Sequence, residues 1–77
     1  MTYSGINIDL WVEDAIVLFD WLSEADLDLV PAEHKAVKQA LTDLYGRLEQ
    51  QVPYLEGGIT AERIAQAQHE VSKHMGW

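Results

Sequence analysis

Residues 12–26 read VEDAIVLFDWLSEAD. Acids and large apolar side chains alternate here in no two-residue rhythm, and the side of this segment that faces a core decides the fold. At about 100° per residue, Glu13, Asp20 and Glu24 fall within about 40° of one another on a helix. Ala15, Ile16, Leu18, Phe19, Trp21, Leu22 and Ala25 spread over roughly 220° of the rest, where a surface helix ordinarily buries a stripe of about 100° or somewhat more. The spacing therefore predicts a helix over about 13–24 that is apolar on too many sides for one neighbour. It is expected to be the central element, with its three acids forming the one ridge that faces water. Asp20 and Glu24, one turn apart, repel each other at a cost of a few tenths of a kcal/mol.

The elements around this helix follow from similar patterns. Upstream, INIDLWV alternates, with Ile6, Ile8, Leu10 and Val12 on one side and Asn7, Asp9 and Trp11 on the other. Period two predicts a short strand over 5–12. Trp11, Ala15, Leu18 and Leu22 also fit a helical stripe, with Asp9 as an alternative N-cap. A second strand pattern is missing from the chain, so the strand would pair between subunits or with a binding partner. Downstream, ADLDLVP is a connection, and Pro31 suits the first turn of a second helix over about 32–52 that stops before Pro53. Val37, Leu41, Leu44, Tyr45, Leu48 and Val52 form its stripe, about 100° wide. Ala32, Ala36 and Ala40 make a separate edge of small residues. Gly46, inside this helix, costs about 1 kcal/mol relative to Ala and points to a close backbone approach or a bend. PYLEGG is a turn. Thr60 caps a third helix over about 60–75, with Ile59 and Ile64 as a hydrophobic staple. Ala61, Ile64, Ala67, Val71 and Met75 are its expected buried face. The fold class is mainly α: a single domain over 1–77, a small three-helix bundle with one short N-terminal strand that pairs between subunits.

A chain of 77 residues lies near the lower limit for folding alone, with a net stability of about 4–12 kcal/mol at 0.05–0.15 kcal/mol per residue. Domains this small usually carry a staple. There is no cysteine, which excludes a disulfide and a thiolate zinc site. The simplest remaining staple is a second subunit, so a homodimer or larger assembly is expected. The first basic residue is Lys35, which leaves no charged n-region for a signal peptide. The longest aliphatic-aromatic run, AIVLF, is far too short for a membrane span. A cytoplasmic location is the expectation.

The net charge of −8 is one-sided. Residues 1–34 hold Asp9, Glu13, Asp14, Asp20, Glu24, Asp26, Asp28 and Glu33 with no Lys or Arg, whereas the charges of residues 35–77 cancel. Binding to a phosphate backbone or an anionic membrane needs the opposite sign, so direct nucleic-acid binding and membrane binding are not expected.

Catalytic patterns are weak. HEVSKH at 69–74 has the look of H-E-x-x-H, but its second histidine comes one residue late. His69 and His74 lie about 140° apart around a helix and cannot grip one ion from a single face. His74 at the helix end would offset the C-terminal dipole, and His34 is read as structural. A carboxylate di-metal site needs E-x-x-H, which does not occur, and Gly57–Gly58 lacks the strand and lysine of a phosphate loop. No serine has an oriented base. The expectation is a protein that is not an enzyme, with no catalytic, metal or cofactor residues. Tyr3, Trp11, Trp21 and Trp77 are read as core or interface fillers. Trp11 and Trp77 lie outside the predicted helices and are the first candidates for intermolecular contact.

DAIVLFDWL (14–22) followed by ALTDLYGRLE (40–49) resembles a loose group of small actinobacterial proteins with relatives among actinobacteriophage genes. The resemblance covers less than half of the chain. It implies a short N-terminal strand, an acidic helix of the V-L-F-[DE]-W-L type, and a second amphipathic helix ending in Leu-Glu. Its motif is one of packing and brings no active site with it.

The functional expectation is a non-catalytic interaction module that binds a basic protein through Trp11, Glu13, Asp20, Glu24, Asp26, Asp28 and Trp77, in the manner of an inhibitor, immunity protein or antitoxin. The alternative is a self-assembling structural protein whose acids keep it soluble. The histidine geometry is testable by itself. Zinc should leave the melting temperature unchanged, whereas a true site would add about 2.7 kcal/mol at a hundredfold excess over its dissociation constant. A zinc-dependent rise in a thermal melt, lost in His74→Ala, would contradict the geometry.

Overall fold

Helix α1, Val12–Glu24, begins without a side-chain cap: Trp11 occupies the N-cap position in an extended conformation. Glu13 and Asp14 in the first turn complement the positive end of the helix dipole instead. The computed structural model describes residues 4–75 and places two further helices after α1, namely α2, Lys35–Glu49, and α3, Ala61–Lys73. After α1 the Asp26 carboxylate accepts a hydrogen bond from the Asp28 N–H at 3.0 Å and starts a single 3-10 turn, Leu27–Leu29.

The start of α2 comes later than the position of Pro31 predicted. His34 supplies the cap, its Nδ1 accepting from the Ala36 N–H at 3.0 Å. The helix also ends earlier. Pro53 lacks an N–H, and its ring would meet the carbonyl of Glu49 four residues back, so Glu49 is the last helical residue. Val52–Tyr54 then form a short 3-10 turn. Gly57 and Gly58 carry the chain round at φ +87° and +69°, left-handed values that favour glycine. Thr60 caps α3 as the sequence predicts, its Oγ1 accepting from the Arg63 N–H at 3.1 Å, and Ile59 and Ile64 both pack on the core.

The strand predicted over 5–12 does not form. Among the described residues there is no strand, and residues 4–11 run along the surface. Up to Leu10 their backbone groups make no hydrogen bonds among the described residues, which offer no second edge to receive them. Val12, assigned to the end of that strand, is instead the first residue of α1.

Helix α1 is central. It packs against both α2 and α3, which make no close backbone approach to each other. Ile16, Leu22, Leu48, Val52 and Ala67 form the buried core, and Ile16 and Ala67 have no exposed surface. On the α2 side, the rings of Phe19 and Tyr45 stack with centroids 5.5 Å apart. Burial pushes the Tyr45 phenol above its usual pKa, and Glu49, one turn on, adds to the shift. On the α3 side, Ala67 supplies a small residue where the helices meet, with Ile64 half-buried beside it. Ala61 and Met75, expected in the buried face of α3, are exposed. No helix among the described residues is long and apolar enough to cross a membrane.

The close approach predicted at Gly46 is not made. A Cβ placed there meets nothing within 4 Å. Gly46→Ala should therefore add about 0.5–1 kcal/mol through helix propensity, which raises Tm by a few degrees in a domain of this size. Gly58→Ala should cost about 1–2 kcal/mol, because the left-handed backbone strains any Cβ even in open space. Thermal unfolding by circular dichroism measures both. A destabilised Gly46→Ala would show that something outside the chain approaches α2 at that point.

Candidate protein-interaction surface

The acidic ridge of α1 lies where the helical wheel put it, but its three members are not equally wet: Glu13 is largely covered, Asp20 is half-buried and Glu24 is exposed. Glu13, Asp20 and Glu24 share the side of α1 that turns toward α3. Arg63, in the first turn of α3, donates two hydrogen bonds to Glu13, from Nη1 to Oε2 at 2.7 Å and from Nη2 to Oε1 at 2.6 Å. This is a fork-to-fork pair, and both side chains are largely covered, at 14% and 26% exposure. The hydrogen bonds from Arg63 hold the Glu13 carboxyl below the usual carboxylate range against the opposing effect of burial, and raise the pKa of Arg63 in turn. The expectation of a wet Glu13 fails because the acid has a cation fifty residues away in sequence, a separation that helical periodicity does not register.

The other predicted acids divide into two sets. Asp26 caps the 3-10 turn, and Asp28 pairs with Lys38 of α2 across an exposed surface. Such exposed pairs contribute little. Asp20 is half-buried and Glu24 exposed, and neither carboxylate has a hydrogen-bond or ion-pair partner among the described residues. Asp9, Asp14 and Glu33 likewise form no ion pair there.

Among the aromatic residues, Trp11 is 43% exposed and meets His74 edge-on, ring centroids 5.3 Å apart. The N-terminal end of α1 is thus tied to the residue that follows α3. Tyr3 and Trp77 lie outside the described residues. Trp21 was absent from the predicted site, yet it is half exposed, together with Leu18 on the outward side of α1. The signal was available. Two neighbours cannot cover 220° of apolar surface completely, and Leu18 and Trp21 sit at the uncovered end of that arc.

These pieces converge on one groove. Val17, Asp20, Trp21, Glu24 and Ala25 of α1 and its exit line a crevice of about 340 Å³ with Gln68 of α3. Its floor is apolar, its rim carries the two unpaired carboxylates, and one wall is the exposed indole. A second depression of about 240 Å³ lies beneath the N-terminal segment, between Ile8 and Leu10 above and Leu48, Val52 and Leu55 below. No group of three or more His, Asp or Glu among the described residues is arranged to hold a metal ion. No protein family, no curated protein and no solved structure matches the chain.

The Glu13–Arg63 pair makes stability depend on acid. Because the folded-state pKa of Glu13 lies below its unfolded value near 4.5, its contribution is present above that value and lost as the pH falls through the lower folded one. Glu13→Gln should lower stability at pH 7 by about 1–3 kcal/mol, since it removes a charge-assisted pair and leaves Arg63 without its counter-charge. The deficit should shrink below pH 4. Urea midpoints for the wild type and the variant, measured at pH 7 and pH 3, check both the size and the sign.

Proposed function

We propose that this protein is a non-catalytic interaction module that neutralises a basic protein partner, in the manner of a small inhibitor, immunity protein or antitoxin. The observation that carries this reading is the distribution of compensated charge. Residues 1–34 hold eight acids and no Lys or Arg, and among the described residues the fold pairs them only with Arg63 and Lys38. Asp9, Asp14, Asp20, Glu24, Asp26 and Glu33 stay without an ion pair among the described residues. Such a field attracts a basic surface and speeds encounter by 10-fold or more at low salt. Exposed Trp11 and Trp21 within the same region supply apolar anchors of the kind that dominate affinity. Glu13 and Asp28, already paired within the chain, contribute less. The reading needs no cofactor or metal, and the resemblance of 14–22 and 40–49 to actinobacterial and phage proteins favours a cytoplasmic setting.

A second reading, self-assembly into a homodimer or larger structure, is favoured by the N-terminal segment. Ile6 and Ile8 are 89% and 73% exposed, and their backbone groups make no hydrogen bond among the described residues. The radius of gyration of 14.0 Å exceeds the roughly 11–12 Å of a compact chain of this length.

One series of measurements separates the two. A pull-down from bacterial lysate should retain a basic protein. Its association rate in stopped-flow mixing should fall about tenfold or more between low and physiological salt. Neutralising Asp9, Asp14 and Glu33 together should slow association without changing the circular dichroism spectrum. An association rate indifferent to salt and to these substitutions would overturn the acidic-interaction reading. Light scattering that shows a stable oligomer and no retained partner would establish the second.

A further inference from the structure

The groove between α1 and α3 has a composition that narrows its occupant. Trp21 presents half of its surface on one wall, Val17 and Ala25 provide an apolar floor, and Asp20 and Glu24 stand one helical turn apart on the rim. Neither carboxylate has a partner among the described residues, and like charges at this spacing repel. Gln68, across the groove, brings an amide and no charge.

A second copy docked groove to groove would bring four carboxylates together around the two indoles, with no cation among the lining residues of either groove. An apolar helix would bury Asp20 and Glu24 without compensation, at the cost of desolvating two charges. A cation relieves both problems. A planar guanidinium does so best, because it can lie on an indole face and at the same time donate in-plane hydrogen bonds to a carboxylate. The depression, of about 340 Å³, is open to solvent.

We propose that this groove is an arginine-reading site: it receives an arginine side chain from a basic segment of the partner, with the guanidinium stacked on Trp21 and hydrogen-bonded by Asp20 and Glu24, and the aliphatic stem against Val17 and Ala25. The proposal rests on the acidic-interaction reading and names the place and chemistry of its contact. Trp21 is the anchor, Asp20 and Glu24 select charge, and Leu18 on the adjoining surface takes a neighbouring apolar residue of the same segment.

The test uses the full chain and a capped eight-residue peptide of arginine and alanine, beside matched peptides with lysine or glutamine in place of each arginine. The indole N–H resonance of Trp21 in a proton–nitrogen correlation spectrum, assigned by its loss in Trp21→Phe, is followed during titration. Expected are a saturable shift of that resonance with the arginine peptide, a several-fold weaker effect with lysine, and none with glutamine. Asp20→Asn with Glu24→Gln should weaken arginine-peptide binding at least fivefold while the circular dichroism spectrum stays unchanged. Asp20→Glu alone, which keeps the charge, should retain most of the binding and guards against a merely structural effect. Binding that shifts other resonances and leaves Trp21 in place would overturn the groove and leave the acidic-interaction reading standing. Absence of binding to the arginine peptide, together with salt-independent association of the retained protein, would overturn both. Concentration-dependent broadening of the Trp21 resonance without any peptide would assign the groove to a second copy and overturn the arginine proposal.

Discussion

Helix α1 carries apolar side chains around more of its circumference than one neighbour can cover, and the rest of the fold is arranged to cover it. Phe19 stacks on Tyr45 of α2, Val17 shares a groove with Gln68 of α3, and Leu22 and Ile16 are buried in the core that both helices help to close. Because the backbones of α2 and α3 make no close approach to each other, each lies nearest to α1. The two contacts are built differently. An aromatic stack of Phe19 on Tyr45 joins α1 to α2, whereas α3 brings the small residue Ala67 and a charged clamp, Arg63 on Glu13. Small residues at a crossing let helix backbones approach, and the longer side chains around them then define the packing.

The same arrangement organises the charge. The N-terminal half has no cation of its own, so every compensating group comes from residues that follow Lys35 in sequence. Arg63 and Lys38 each reach one acid, and the first does so where water is largely excluded. A partly covered, fork-shaped pair contributes to stability, whereas an exposed one such as Lys38–Asp28 mainly trims the surface field. The other acids of the first 34 residues form no ion pair among the described residues. A charge distribution of this kind governs encounter and partner choice more than it governs the fold.

The covering of α1 is also incomplete. A 77-residue chain cannot supply enough surface to bury every apolar group, and this one leaves Trp21, Leu18 and the N-terminal isoleucines outside. Trp21 lies beside two carboxylates, Asp20 and Glu24, that have no ion pair among the described residues, so exposed apolar surface and negative charge coincide there. The selectivity proposed for the groove beside Trp21 rests on that coincidence: its shape would admit many side chains, but its charge favours cationic ones.

Helix number, helix order and the central position of α1 were legible in the sequence, because amphipathic periodicity and the width of the apolar arc are local properties of the chain. So were the Thr60 cap and the Ile59–Ile64 staple, which depend on residues within one turn. The N-terminal alternation misled, because a strand exists only when another edge completes its hydrogen bonds, and that requirement is not written in the segment itself. The early end of α2 was readable from Pro53 in principle, through the carbonyl four residues back. Only the tertiary structure decided which acid of α1 is covered. Periodicity groups Glu13 with Asp20 and Glu24, but the fate of Glu13 depends on where Arg63 comes to lie fifty residues later. An acid on such a ridge is normally wet because burying charge is costly, and a single well-placed guanidinium reversed that preference for Glu13 alone, while Glu24, Leu18 and Trp21 stay exposed.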